Sequence, residues 1–480
     1  MRVFVTGATG FIGRALTLRL IGAGHQVTAW VRSERKARDL LGPDPAFADA
    51  ACPSALKQAL EGIDAVVNLA GEPAIGRRWT AQRKQRILDS RINLTRSIVD
   101  AIAACSSRPA VLISASAVGY YGDRGDEILE DGADGGADFL ANLCRDWEAA
   151  ALGARSSGVR VFITRVGVVL GPGGGALAKM IEPFRMGLGG PIGSGRQYIP
   201  WIHLHDLVEL IRLALEDPRF NEALITTAPT PATARDFATA LGEMLHRPSL
   251  LPVPSIALKL ILGEASIALL GGQRVRPRRL EELGFRWRYE TVESALANIL
   301  RDNQPEIRRL GERSPGPVAV PDSTYLSRRH PSFLLVQKTR VEAPLEEVFH
   351  FFAQPQNLGV MTPAAMQFRI ISTLPDEIRA GLRIEYSLQL GPIPLRWRTH
   401  IEEWQPPHLF VDSQESGPYR SWWHEHHFRA DGNATVMEDR VYYAPPLGPL
   451  GMVANAVIVA PALGDIFTYR KQAMRLRFPG

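Results

Sequence analysis

Met1-Arg2-Val3-Phe4-Val5-Thr6-Gly7-Ala8-Thr9-Gly10-Phe11-Ile12-Gly13 opens the chain, and Arg14-Ala15-Leu16-Thr17-Leu18-Arg19-Leu20 continues it. Val3–Val5 is a short apolar run and reads as a buried strand. Three glycines follow, and the next seven residues read as a helix. Strand, glycine turn and helix in this order predict a dinucleotide-binding turn. Glycines let the backbone turn tightly and approach a pyrophosphate, whose charge then lies on the free N–H groups of the helix start. The bland alternative is a glycine-rich strand-to-helix turn that holds no ligand.

The rest of the first half repeats the rhythm. Gln26–Val31, Asp64–Ala70, Ala110–Ser114 and Val159–Arg165 read as strands, with a long helix from about Ala81 to Ala104. Alternating strands and helices imply a parallel, doubly wound sheet, an α/β Rossmann-type fold. Ligands of such sheets bind beyond the carboxyl ends of the strands. That rule singles out Arg32, Asn68 to Glu72, Ser114 to Tyr121 and Arg165 to Gly171. Gly173-Gly174-Gly175 lacks the Lys-Ser/Thr ending of a P-loop and reads as a flexible loop at the site.

At 480 residues the chain is long enough for two domains or more. Hydrophobic residues make up 45% and charged residues 22%, ordinary for a globular protein. The net charge of +5 is thinly spread, and the basic stretches are short. A nucleic-acid surface would show a denser basic stripe with interleaved aromatics, so no nucleic-acid partner is expected. Cys52, Cys105 and Cys144 have no metal or disulfide spacing, which fits a reducing, cytoplasmic setting. Leu250–Leu270 is broken by Lys259, Glu264 and prolines, and residues 450–463 are apolar but short, so no membrane span is expected.

Near residue 301 the pattern changes. Residues 301–331 are rich in proline and arginine and read as a linker between residues 1–300, whose C-terminal lobe starts at about 225, and a second domain, 332–480. In that domain Val336–Val341 alternates like a strand, and Pro344–Ala353 looks helical. Asn357–Pro363 ends a second short helix. Alternating segments follow at Phe368–Ser372, Arg383–Leu390, Leu395–Trp404, Leu409–Glu415, Ser421–Arg429 and Ala434–Tyr443, before a helix from Met452 to Leu476. This order predicts an α+β domain.

Cofactor choice lies after the second strand. An acidic residue there would favour NAD by accepting the ribose 2′-OH, but the chain reads Trp30-Val31-Arg32-Ser33. An arginine and a hydroxyl suit a 2′-phosphate and therefore NADP(H); Arg32 as a surface residue or an adenine-stacking residue is the competing reading.

Residues 1 to about 300 resemble the extended short-chain dehydrogenase/reductase superfamily, which includes nucleotide-sugar epimerases, and more closely its small "epimerase family" subgroup. The resemblance rests on Gly7–Gly13, Asn68–Pro73, Arg77-Arg78-Trp79, Ser114–Gly122, Leu143–Glu148, Arg165–Gly171, Trp201–Asp206 and Gly272–Val275. It implies a cofactor touching Thr6, Gly7, Thr9, Gly10, Phe11, Ile12, Gly13, Arg32, Ser33, Leu69, Ala70, Gly71, Glu72, Ser114 and Arg165. The superfamily's catalytic serine polarises a carbonyl, its tyrosine moves a proton, and a lysine four residues after the tyrosine lowers the tyrosine pKa. Ser116 matches the serine. Where the pair should follow, Leu140 and Cys144 stand instead, and neighbouring Arg145 is turned by about 100° on a helix. Tyr120 is the candidate relocated acid, with a role as mere pocket wall left open; Tyr121 reads as wall. Glu72 and His203 are further polar residues on site-facing loops, and His203 reads as a structural hydrogen-bond partner. Trp201–His203 is expected to pack the junction with the C-terminal lobe.

Residues 333–478 resemble the START-like superfamily, often described as polyketide cyclase/dehydrase-like, through Val341–Pro344, Asn357-Leu358 with Met361–Pro363, Gly417-Pro418-Tyr419, Asp439–Tyr443 and Tyr469-Arg470. The resemblance implies a curved antiparallel sheet gripping a long helix around an apolar cavity, with a hydrophobic ligand. His424 and His426 share one strand face. With no Cys or acidic partner near them in sequence, they read as polar positions on that face or as cavity lining, and no metal is expected. Two functions follow: an NADP(H)-dependent epimerase or oxidoreductase of unknown small substrate, or a non-catalytic NADP(H)-binding sensor or scaffold whose second domain binds an apolar ligand or partner.

Overall fold

The computed structural model describes residues 1–480 except 53, 312–319, 376–377, 391–392 and 480. The chain divides into two compact units, Met1–Glu34 with Asp44–Arg301, and Arg35–Pro43 with Asp302–Gly480.

The first unit is built on a seven-stranded sheet. Its strands are β1 (Arg2–Thr6), β2 (Gln26–Val31), β3 (Ala46–Asp49), β4 (Ala65–Asn68), β5 (Val111–Ala117), β6 (Arg160–Val166) and β7 (Ala223–Thr226). The order is β7-β6-β5-β4-β1-β2-β3, and every pairing is parallel. This is the Rossmann-type doubly wound sheet expected. Val3–Val5, Ala65–Val67 and Val111–Ile113 are buried. A parallel sheet covered on both faces needs such continuous apolar runs. One face meets Ile98, Ile102, Ala151 and Ala154 through Phe4, Val66, Leu112 and Val161. Helix α1 (Phe11–Gly22) packs with the helix Leu204–Glu216, to which Arg19 and Glu209 tie it. The sequence reading missed β3 and β7, the two edge strands, which are only four residues each. The long helix after β4 runs as Ala81–Leu88 and Leu94–Ala104, joined by a π-helical turn at Asp89–Asn93. The strand order reverses at β1, between β4 and β2, so the ligand crevice lies beyond the ends of β1 and β4.

Trp201 is buried with Phe184, Phe237, Val292, Leu296 and Ile299, the packing expected at the lobe junction. Two stretches of the expected linker are ordered: β8 (Glu306–Arg309) and the helix Thr324–Arg329. Residues 312–319 of that linker lie outside the described residues.

The second unit holds an eight-stranded antiparallel sheet. After β8 come β9 (Phe333–Val341), β10 (Arg369–Ile370), β11 (Arg383–Leu390), β12 (Ile393–Gln405), β13 (Leu409–Ser416), β14 (Ser421–Asp431) and β15 (Ala434–Ala444), in the order β8-β9-β15-β14-β13-β12-β11-β10. The short second helix expected at Asn357–Pro363 is two 3₁₀ turns, Pro355–Leu358 and Ala364–Met366. The last helix is continuous over Gly448–Arg477, 30 residues. The short apolar run 450–463 is thus part of a helix long and apolar enough, by length and composition alone, to cross a membrane. Leu463, Phe467 and Met474 of this helix are buried, whereas Leu450, Val453, Val457 and Ile458 are exposed. Sheet and helix enclose a largely apolar cavity of about 550 Å³.

Candidate functional site

β1 ends at Thr6, and the chain turns through Gly7 at φ +69°, the left-handed region that favours glycine. A Cβ on Gly7 would lie 2.8 Å from the Leu69 carbonyl carbon. Gly10 is the N-cap of α1; no side chain caps this helix, and its first turn has no carboxylate. A Cβ on Gly13 would lie 2.1 Å from the Gly7 carbonyl oxygen, so only glycine lets the helix start so close to the turn. The result is an uncapped, positively polarised helix start at the crevice, with Gly10 exposed and Thr9, Phe11 and Ile12 half-buried. A pyrophosphate fits this cradle. Phe11 packs under Gly171, Gly174 and Gly175, where a Cβ would come within 3.2 Å of its ring.

The floor of the crevice is a hydrogen-bond row across strand ends. Thr6 Oγ1 donates to Asn68 Oδ1 (2.7 Å), and Asn68 Nδ2 donates to Thr95 Oγ1 (2.9 Å) and Ser114 Oγ (3.4 Å). The Ala70 N–H reaches Thr6 Oγ1 at 3.3 Å. The side chains of Thr6 and Ser114, both expected to meet a cofactor, are buried in this row and fix the Leu69–Glu72 loop beside the glycine turn. Leu69 and Ala70 are half-buried and Gly71 is exposed. Glu72 is held by its N–H to Ser90 Oγ (3.0 Å) and by Arg91 Nη1 on its carbonyl (2.8 Å). Arg32, just past β2, is exposed and makes no ion pair or hydrogen bond among the described residues; Ser33 beside it is also exposed. Arg32 thus stands with an uncommitted guanidinium just past the end of β2.

At the end of β5 the arrangement is more closed than the sequence suggests. Ser116 is directly paired with Arg165 of β6. Its hydroxyl donates to Glu148 Oε1 at 2.6 Å. Glu148, buried on the helix Phe139–Leu152, also takes Arg165 Nε (3.0 Å) and Nη2 (2.9 Å) in a two-pronged ion pair. Arg165 Nη1 donates to Tyr121 Oη (2.8 Å) and to the Asp131 carbonyl (3.0 Å). Arg165 was expected at the cofactor; the structure commits its guanidinium to this buried cluster instead. Burial opposes the Arg165 charge, but the bonds to Glu148 win and raise its pKa. Burial raises the Tyr121 phenol well above its usual value, so Tyr121 stays protonated. Glu148 is the residue sequence reasoning missed. The only signal was an acid one helical turn beyond the position expected for lysine.

Cys144, at that lysine position, is buried, and its thiol is pushed up to about 11, first by burial and then by the Glu148 charge, with Ser116 as a hydrogen-bond neighbour. It places a neutral thiol beside Ser116 where the superfamily has a cation. Leu140 packs over Gly119. Arg145 is exposed, bonded to Asn142 Oδ1 (2.9 Å) and the Gly136 carbonyl (2.7 Å), and replaces neither. Tyr120 is half-buried with its ring face 3.6 Å from the Arg165 guanidinium carbon. Its hydroxyl has no hydrogen-bond partner among the described residues. His203 is buried, accepts the His205 N–H at 3.0 Å as a helix cap, and stacks on Tyr289. Burial lowers its pKa to about 3, which keeps it neutral and structural.

In the second unit, His424 and His426 on β14 are buried and line the cavity with their ring centroids 3.7 Å apart. The acidic partners absent from their sequence neighbourhood come from the adjacent strands: Asp412 of β13 lies opposite His424, and Asp439 of β15 opposite His426. Asp439 Oδ1 contacts His424 Nε2 (3.1 Å), His426 Nδ1 (2.9 Å) and Arg470 Nη2 (3.0 Å). Burial opposes its charge, yet Arg470 and the two imidazoles hold the Asp439 carboxyl well below the usual range. Burial and then the His426 charge lower His424 to about 4.

The NAD dependent epimerase/dehydratase family profile matches residues 3–225, and a domain of unknown function, DUF1731, matches 253–299. An Arabidopsis thaliana protein named epimerase family protein SDR39U1 homolog, chloroplastic, is 46% identical over 307 residues, covering 63% of this chain and 87% of that protein. The epimerase family protein YfhF of Bacillus subtilis is 38% identical over 306 residues, covering 63% of this chain and 99% of YfhF. The crystal structure of human epimerase family protein SDR39U1 with NADPH superimposes with a TM-score of 0.58 at 38% identity, covering 63% of this chain and 100% of that one.

Proposed function

This chain belongs to the epimerase family, and from that premise we propose that its first unit binds NADP(H) along Gly7–Gly13, with Arg32 and Ser33 on the 2′-phosphate and the Leu69–Glu72 loop as the facing wall. The observation that carries the reading is the exposed, unpaired Arg32 beside an uncapped helix start at the sheet's switch point. The human relative solved with NADPH supports it. When bound, NADP(H) supplies a hydride donor or acceptor. The chemistry proposed for this chain is that of an epimerase or oxidoreductase on a small carbonyl or hydroxyl substrate, with Tyr120 as the hydroxyl that holds or moves the proton. Ser116 acts as a positioning residue, because its own proton goes to Glu148.

That same bond favours a second reading, a non-catalytic NADP(H)-binding protein. Cys144 in place of a cation favours it further. The second unit we read as a START-like domain that holds an apolar ligand in its cavity, supported by the enclosing sheet and long helix. A cytoplasmic setting is in keeping with three free thiols.

The test is oxidation of bound NADPH, followed by its fluorescence, against a panel of aldehydes, ketones and quinones. Turnover that Tyr120→Phe abolishes and that leaves NADPH affinity unchanged is the expected result. Tight NADPH with no turnover on any member of the panel selects the non-catalytic reading.

A further inference from the structure

The cavity of the second unit is apolar over most of its wall, yet one end gathers Asp412, His424, His426 and Arg470. One ligand atom from each of Asp412, His424 and His426 lies within 4.8 Å of the others. We propose that these three side chains form a binding site for a divalent first-row transition ion, with open coordination positions facing the cavity.

An ionised carboxylate only accepts hydrogen bonds. His424 Nε2 at 3.1 Å and His426 Nδ1 at 2.9 Å both touch Asp439 Oδ1, and the tautomer in which each ring donates its N–H there leaves its other nitrogen free to ligate. In a neutral imidazole the other nitrogen then carries a lone pair. Those other nitrogens, His424 Nδ1 and His426 Nε2, both face Asp412 Oδ2, at 3.6 and 3.0 Å. In that tautomer two imidazole nitrogens and the Asp412 oxygen converge on one point, and an ion bound there takes the place of the proton that otherwise bridges His426 Nε2 and Asp412 Oδ2 at 3.0 Å.

The spacing agrees. Donors each about 2.1 Å from a tetrahedral ion stand about 3.4 Å apart. A carboxylate that accepts the far N–H of a ligating imidazole is the usual way a protein fixes tautomer and ring orientation, and Asp439 does so for both rings. Arg470 Nη2 lies 3.0 Å from His426 Nδ1 and also 3.0 Å from Asp439 Oδ1, and the carboxylate is the better acceptor. Two imidazoles and one carboxylate suit zinc, iron(II), cobalt(II) or manganese(II) rather than calcium or magnesium. The three ligands come from adjacent strands, where cross-strand pairing sets their positions. A ligand that occupies the apolar cavity and reaches the ion would carry an oxygen donor on a hydrophobic body.

The experiment uses the full chain, stripped with a chelator and titrated with Co²⁺ and then Zn²⁺. The expected result is about one Co²⁺ per chain with visible ligand-field bands, displaced by Zn²⁺, and at least tenfold weaker binding in Asp412→Asn and in His426→Gln. His427→Gln, on the half-exposed neighbour of the same strand, serves as control and keeps full binding. No stoichiometric binding by the wild-type chain, or binding that survives both variants, overturns the proposal. It would show instead a proton-linked network in which His426 donates Nε2–H to Asp412 and accepts from Arg470. Should a variant fail to fold, Zn X-ray absorption on the wild-type complex decides: two imidazoles and no sulfur support the site, and any other count of imidazoles, or sulfur, overturns it.

Discussion

At the residue scale, the cluster at the end of β5 sets what this chain can do. Among the described residues Glu148 alone takes both Arg165 Nε and Nη2, and both residues lie in the interior. Glu148→Ala leaves a buried guanidinium unpaired, and loss of one partner of a buried pair costs about 3–5 kcal/mol. Urea unfolding followed by circular dichroism should show a loss of that size; a loss under about 1 kcal/mol would mean that water reaches Arg165 in the folded chain. Tyr120→Phe removes a hydroxyl with no partner among the described residues, so the same measurement should move by less than about 0.5 kcal/mol. A larger loss would place Tyr120 in the packing and weaken its proposed chemistry. Ser116 was legible as a strand-end hydroxyl. Its commitment to Glu148 was not, because the two are 32 positions apart and only the packing of the helix Phe139–Leu152 joins them.

At the element scale, the glycine turn and α1 form one device. Gly7 supplies the left-handed turn, Gly10 leaves the helix start uncapped, and Gly13 lets the helix sit against the turn. Gly13→Ala puts a methyl group 2.1 Å from the Gly7 carbonyl oxygen, against backbone that cannot swing away. Overpacking of this kind costs about 1–3 kcal/mol. A thermal melt should fall by several degrees, and nucleotide affinity should fall with it, because the same shift moves the N–H groups proposed to hold the pyrophosphate. An unchanged melt would contradict the close approach. The elements of this device were legible from the first twenty residues, because period, glycine spacing and order agree there. The last helix was legible as well, read over Met452–Leu476 and found over Gly448–Arg477. The apolar length was not: residues 450–463 were read as too short to span a membrane, and a π-helical turn at Asn455–Val459 carries the helix through them. Proline fits at the second position of Ala460–Arg477 and starts that segment without breaking it.

At the scale of the whole molecule, both architectures were legible in the alternation of strands and helices, while the chemistry that joins distant strands was not. Asp412 and Asp439 flank His424 and His426 only because β13, β14 and β15 lie side by side in register. Stability should also respond to acid in a defined direction. Folded His203 is held at about 3, against about 6.5 unfolded, so folding keeps it neutral. The unfolded chain therefore binds more protons, and His203 costs stability as pH falls from about 6.5 toward 3. Asp206, raised by burial to about 6, works the other way, since its contribution grows as pH falls from 6 toward 4. His203→Asn, which keeps a capping side chain, should flatten the acid loss of stability between pH 6.5 and 4; an unchanged slope would show that His203 does not carry it. The central claim, that this crevice is built for NADP(H) with Arg32 on the 2′-phosphate, is tested most directly by titrating the full chain with NADPH and NADH in parallel, wild type beside Arg32→Ala. The wild type should prefer NADPH, and Arg32→Ala should weaken NADPH by about tenfold to a hundredfold while leaving NADH unchanged. A wild type that prefers NADH, or an Arg32→Ala that weakens both nucleotides alike, would contradict it.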